Sequence, residues 1–172
     1  MAKGKQTGLF PGNEDKVGYW LTPPELMKLL EEEFHFTFDS CPYPRPSGFN
    51  GLLEDWGAST WCNPPLGKGS SISAWVNKAL LESKRGHQVV LVLPMPRWVR
   101  NLLRAGAEVR PLGAVPWMNP EGKRTTSDGG GHYPDTLFIL KAGCNQKERL
   151  DSRGWRDYYM NGIVKEEVAV TQ

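Results

Sequence analysis

Charge of one sign is missing from this chain: 21 lysines and arginines stand against 19 aspartates and glutamates in 172 residues, a formal net charge of +2. Global charge therefore announces no polyanionic partner, and any nucleic-acid face has to come from local clustering. Long apolar runs are missing too. Nothing approaches the roughly 18 consecutive residues of a membrane span, and no apolar segment follows Lys3 and Lys5, so neither an anchor nor a signal peptide is expected. Cysteine and histidine are sparse. Cys41, Cys62 and Cys144 are odd in number and form no Cys-x-x-Cys pair, while His35, His87 and His132 stand far apart. Neither a disulfide framework nor a metal site is expected, and a reducing, cytoplasmic setting fits. With 39% hydrophobic residues, the length suits one soluble domain with a single core, expected as a monomer.

What is present divides the chain into a Gly- and Lys-rich arm (1–18), a patterned domain (19–143) and a polar, mixed-charge extension (144–172). Thr22, Pro23 and Glu25 predict a capping box, with Thr22 as N-cap and Pro23 at the first helical position of a helix reaching about Phe34. Phe36 and Phe38 alternate with polar residues in a short strand ending at Asp39. Five prolines and glycines between Cys41 and Gly57 then forbid regular structure. A loop of that length is either functional or a surface excursion. Ala58 to Thr60 approaches a buried strand. A helix capped by Ser71 or Ser73 carries Ile72, Trp75, Val76, Ala79 and Leu80 on one face and stops at Gly86.

Val89 to Leu93 is continuously apolar, as in a strand covered on both faces. A shorter helix from Trp98 to Ala105, a weaker strand at Ala107 to Pro111 and a firmer one at Thr136 to Leu140 complete the pattern. The alternation predicts a three-layer α/β domain with a reduced, mostly parallel sheet and ligands outside the carboxyl ends of its strands, where Asp39, Asn63 and Pro94 fall. From 116 to 134 a long loop carries Trp117, Lys123, Arg124, three successive glycines and His132. It suits contact with a polynucleotide, and mere solvation explains its composition as well. A short helix around Lys147 to Tyr158 closes the reading.

The chemistry centres on Trp61-Cys62-Asn63-Pro64-Pro65-Leu66. An Asn fixed at a strand end by two rigid prolines offers a side-chain carbonyl and a backbone carbonyl that converge on one point. Two such acceptors hold a planar amino group by its two hydrogens and expose the nitrogen lone pair, the arrangement amine methylation needs. A structural turn accounts for the prolines equally well.

Trp20-Leu21-Thr22-Pro23, Phe38-Asp39, Asp55-Trp56, Trp61 to Pro65, and Trp75-Val76 with Lys78-Ala79 together resemble the phage-type DNA N-6-adenine methyltransferases, the Dam-like family of phages and prophages, over residues 19 to 141. The resemblance implies a Rossmann-like methyltransferase fold, S-adenosylmethionine as cofactor, DNA as partner and a host-cell cytoplasmic location. It also implies a catalytic motif of Asn63, Pro64, Pro65 and Leu66, and a cofactor site formed by Trp20, Thr22, Pro23, Asp39, Cys41, Asp55 and Asn63. Lys68, Trp98, Lys123 and Arg124 are expected to meet the substrate.

Two features depart from the family. Leu66 stands where an aromatic residue, usually Tyr, would stack on a flipped base; either a nearby aromatic such as Trp98 takes over the stacking or the base is held with a looser grip. The fifteen residues 40–54 are too few for an ordinary βαβ crossover between Asp39 and Asp55; Asp55 either reaches the ribose from the loop or caps the turn before Trp56. The same motif chemistry serves RNA bases and protein glutamine amides, and a lapsed DNA-binding protein is the non-enzymatic alternative.

Overall fold

A strand with no polar side has to be covered on both faces, and Val89 to Leu93 is such a segment. The computed structural model describes residues 19–66, 71–94, 98–124 and 135–143. There the run forms the body of β3 (Gln88–Pro94), the middle strand of a five-stranded sheet. The other strands are β1 (Phe38–Asp39), β2 (Ser59–Cys62), β4 (Glu108–Gly113) and β5 (Asp135–Leu140). The helices are α1 (Pro24–Phe34), α2 (Ile72–Lys84) and α3 (Val99–Arg104). The expected arm (1–18), the Lys147 to Tyr158 helix and Lys68 lie outside the described residues.

The strands lie in the order β1-β2-β3-β5-β4. β1, β2 and β3 pair in parallel, whereas β5 runs antiparallel to both β3 and β4, so β5 alone of the described strands opposes the common direction. The chain is thus α/β with a mixed, partly parallel sheet. Burial periodicity carries no strand direction. No described helix lies between β4 and β5 to return the chain to the opposite edge, and the pair closes antiparallel.

Alternation along β3 divides the core. Val89, Leu91 and Leu93 pack with Trp75, Val76 and Ala79 of α2, Leu102 of α3, and Phe138 and Leu140 of β5. Val90 and Val92 face the other way, onto Leu30 and Phe34 of α1, Trp61, Leu137 and Ile139. This makes three layers, with α1 on one face and α2 and α3 on the other. Each aliphatic side chain so buried stabilises the fold by about 1.5–3 kcal/mol.

The expected capping box at the start of α1 does not form. Pro23 is the N-cap residue, Pro24 opens the first turn, and no side-chain bond caps the helix. The Glu25 carboxylate is held instead by the Arg124 guanidinium at 2.5 and 3.0 Å, and a charge-assisted bidentate bond outcompetes a neutral backbone cap. At the other end, the Phe34 carbonyl accepts bonds from Ser59 Oγ (2.7 Å) and Gln88 Nε2 (3.3 Å), which tie α1 to the starts of β2 and β3.

β1 and β2 are parallel neighbours joined without a helix, across residues 40–58. That loop is packed: Trp56 is buried, donates its indole N–H to the Gly51 carbonyl at 2.7 Å and lies against the Trp75 ring. A Cβ on Gly51 would sit 1.9 Å from the Ser40 carbonyl oxygen, so a glycine is required where the loop returns past the end of β1.

Near the far end of α2, Glu82 is fully buried beneath Lys78 Nζ (2.8 Å), Arg85 Nη1 (2.9 Å) and His87 Nδ1 (2.9 Å). Burial acts to raise its pKa, but the bonds from Lys78 and His87 outweigh it and hold the carboxyl below its ordinary value. A carboxylate with a depressed folded pKa contributes stability above its unfolded value, and that stability is lost as pH falls through the folded one. Glu82→Gln should therefore destabilise the chain by up to about 3 kcal/mol in urea denaturation at pH 7, the low end for breaking a buried pair because Arg85 is half exposed. The gap to the wild type should narrow below pH 4.5, the ordinary value of the group.

Candidate active site

The parallel strands bring their carboxyl ends to one edge of the sheet. Asp39 closes β1, Asn63 directly follows β2 and Pro94 closes β3, with Asp39 in register with Trp61 and Cys62 with Leu91. Because β5 is reversed, its first residue, Asp135, also stands at this edge, opposite Pro94.

Asn63 is oriented by the chain that precedes α1. Its Nδ2 donates to the Trp20 carbonyl at 2.6 Å. A carbonyl only accepts, so the amide nitrogen is the end that meets Trp20, and Oδ1 is turned away. Pro64 is buried, Pro65 is half-buried, and Leu66 is 42% exposed at the rim. Trp20 is also 42% exposed. Thr22 and Pro23 follow it into α1 and so belong to the same edge.

The Trp20 segment is itself strapped down. Leu21 and Met118 exchange backbone bonds of 2.7 and 3.0 Å, and Met118 in turn bridges to Arg124. Gly122, at φ 80°, and the Lys123 N–H to Asn119 Oδ1 bond (2.7 Å) close the turn between them. The described part of the expected long loop is therefore a tight hairpin. Lys123 is exposed at its end, while Arg124 is committed to Glu25.

Asp39 is open to solvent, and its Oδ1 accepts the Cys41 backbone N–H at 2.9 Å. The protein crowded around this strand end raises its pKa by burial, against the lowering effect of that bond. Cys41 is half-buried beside Cys62; burial, then the bond to the Cys62 thiol, holds the Cys41 thiol well above its ordinary value. It stays protonated at neutral pH, a packing group and not a nucleophile.

Asp55 is not brought here. It lies at the opposite edge of the sheet, fully exposed, 3.8 Å from Arg85 beyond the end of α2. The crossover is too short to build a strand that would carry it round, and of its two expected roles the reach to a ligand is lost. Trp98 is half-buried at the head of α3, packed against the cluster beneath α2 and α3.

Two features at this edge escaped the sequence reading. Tyr43 comes to lie 5.5 Å from Tyr19, ring centroid to centroid, because the loop after Asp39 turns back onto the Trp20 segment; the only sequence hint was its flanking prolines. Asp135 accepts Trp117 Nε1–H at 2.7 Å, and burial raises its pKa against that bond. Its place could not be foreseen without the direction of β5.

The chain matches no known family model, no curated protein and no solved structure. Among the described residues there is no group of His, Cys, Asp or Glu able to hold a metal ion, and no helix is long and apolar enough to cross a membrane.

Asp39 offers a check on its own surroundings. A carboxyl whose folded pKa exceeds its unfolded value, near 3.8, destabilises the fold as pH rises through the folded value and costs nothing below 3.8. Asp39→Asn should therefore raise the melting temperature at pH 7 and leave it unchanged at pH 3, as read by thermal denaturation.

Proposed function

We propose that this chain is a Rossmann-like, S-adenosylmethionine-dependent methyltransferase acting on the exocyclic amine of adenine in DNA. The observation that carries the reading is the bond from Asn63 Nδ2 to the Trp20 carbonyl. With its nitrogen so engaged, the amide keeps Oδ1 as an acceptor, and on this reading Oδ1 and the Pro64 carbonyl take the two hydrogens of a planar amine. Holding both hydrogens orients the nitrogen lone pair, and positioning of this kind contributes on the order of 7–11 kcal/mol. Asn63 also follows a strand of the parallel part of the sheet, at the edge where open α/β sheets take their ligands.

When bound, the cofactor supplies a methyl group activated by a sulfonium sulfur. The donors it presents, an ammonium and ribose hydroxyls, suit the open Asp39 carboxylate. Trp20, Thr22, Pro23 and Cys41 border the same edge. Asp55 has no part in that site. Held there, the cofactor would supply that methyl to the nitrogen of an amine held by Asn63 and the Pro64 carbonyl, and the proton the amine gives up would pass to solvent.

The base has to leave the stack before Asn63 can reach it, at a cost of roughly a few kcal/mol. Leu66, half open at the rim, offers apolar contact and shields the site from water. Trp20, whose carbonyl takes the Asn63 bond, is an exposed aromatic of this edge, and its ring suits the stacking that Leu66 lacks. On this reading Leu66→Tyr keeps or raises the rate.

The test is incubation of the purified chain with methyl-labelled cofactor and, separately, DNA, RNA and protein. Label should enter DNA as N6-methyladenine. Asn63→Ala should lower that rate by about 100-fold or more, with cofactor affinity largely kept, whereas Asp39→Ala should weaken cofactor binding at least tenfold, about 1.4 kcal/mol. Label in RNA or protein alone would reassign the substrate, and cofactor binding without transfer would mark a lapsed enzyme.

A further inference from the structure

The near-neutral total conceals a partition of charge between the two helical layers. α1 carries Glu25, Glu31, Glu32 and Glu33, all exposed, against Lys28, a net of −3. On the other face, α2, its terminal Arg85 and α3 carry Lys78, Lys84, Arg85, Arg100 and Arg104 against the single carboxylate Glu82, a net of +4. Arg124 and Arg110 offset two of the α1 carboxylates and Asp55 stands beside Arg85, so the layers differ by less than the helices alone.

Most of the described cations are already committed. Arg124 is held by Glu25, Arg110 by Glu33 and Glu108, and Lys78 and Arg85 by Glu82. Arg100 and Arg104, like Lys84 and Lys123, are exposed and pair with no carboxylate among the described residues. The two arginines stand four apart on α3, so they share one face of the helix with about 6 Å of rise between them. α3 begins five residues beyond Pro94, the end of the strand next to β2, and so starts at the edge where Asn63 stands.

We propose that the Arg100 and Arg104 face of α3 holds the phosphate backbone of the substrate nucleic acid while the target base reaches Asn63. The proposal rests on the nucleic-acid reading of the site and adds the direction of approach. A duplex lies along the α2 and α3 layer, because Arg100 and Arg104 are unpaired there, while Arg110 and Arg124 beside α1 are held by its carboxylates. Point charges on a short, solvent-facing helix contact phosphate without reading base edges, so the contact is sequence-independent.

Fluorescence anisotropy with a labelled adenine-containing duplex, titrated at a series of salt concentrations, tests this. Arg100→Ala with Arg104→Ala should weaken binding evenly across sequences and flatten the slope of log affinity against log salt by about 1.8, two phosphate contacts at about 0.9 each. Arg100→Lys with Arg104→Lys should restore the slope, which a merely structural role would not predict. Lys28→Ala, a loss of charge on α1, should leave it unchanged. An unchanged slope in the α3 alanine variant, or a flattened one in the Lys28 variant, would overturn the assignment while DNA binding stands. A wild-type chain that binds no DNA at low salt would overturn the substrate reading and this surface with it.

Discussion

Parallel pairing of β1, β2 and β3 is the constraint on which the site depends. Three neighbouring strands with one direction must end at one edge, and they place Asp39, Asn63 and Pro94 within a few strand spacings of about 4.8 Å. The burial of β3 between two helical layers holds the arrangement, since its five central residues have no water-facing side to release. Parallel neighbours cannot be joined by a tight turn, so the chain covers the distance from β1 to β2 with a packed, helix-free loop. Trp56 anchors that loop and Gly51 lets it pass Ser40, which fixes where the end of β1 sits relative to Asn63.

Much of this was legible in the chain. The apolar run at Val89 to Leu93 announced a doubly covered strand, the period of Trp75, Val76, Ala79 and Leu80 announced α2, and glycines 86 and 106 marked two helix ends. Asn63, Asp39 and the start of α1 were expected at one edge and are found there. The misses share a cause: they depend on which distant partner a side chain meets. Glu25 reads as a capping residue until Arg124, 99 positions away, takes its carboxylate. Asp55 reads as reaching a ribose from its loop or capping the turn before Trp56, until the fold leaves it beside Arg85. Residues 118–124 read as loop because two isolated bridges, and no periodicity, make them a hairpin. The direction of β5, and with it the place of Asp135, has no local signature at all.

The site and the scaffold differ in how they treat charge. Away from the carboxyl edge, several carboxylates are met by cations: Glu82 by Lys78 and Arg85, Glu33 and Glu108 by Arg110. At the edge, Asp39 and Asp135 are raised by burial and receive only N–H donors, from Cys41 to the first and from Trp117 and Val115 to the second. Leaving an acid without a cation costs stability, and such costs concentrate where a ligand is to provide the missing partner. Asp39 suits that description best, because it is both raised and open to solvent.

The central claim, that Asn63 and the Pro64 carbonyl present the amine of adenine to an activated methyl, is tested most directly by mass spectrometry of nucleosides from the DNA of cells lacking adenine methylation that express this chain. The account predicts N6-methyladenine with the natural sequence and none with Asn63→Ala at equal expression. Adenine left unmodified by the natural chain, or methylated equally by the Asn63→Ala variant, would contradict it.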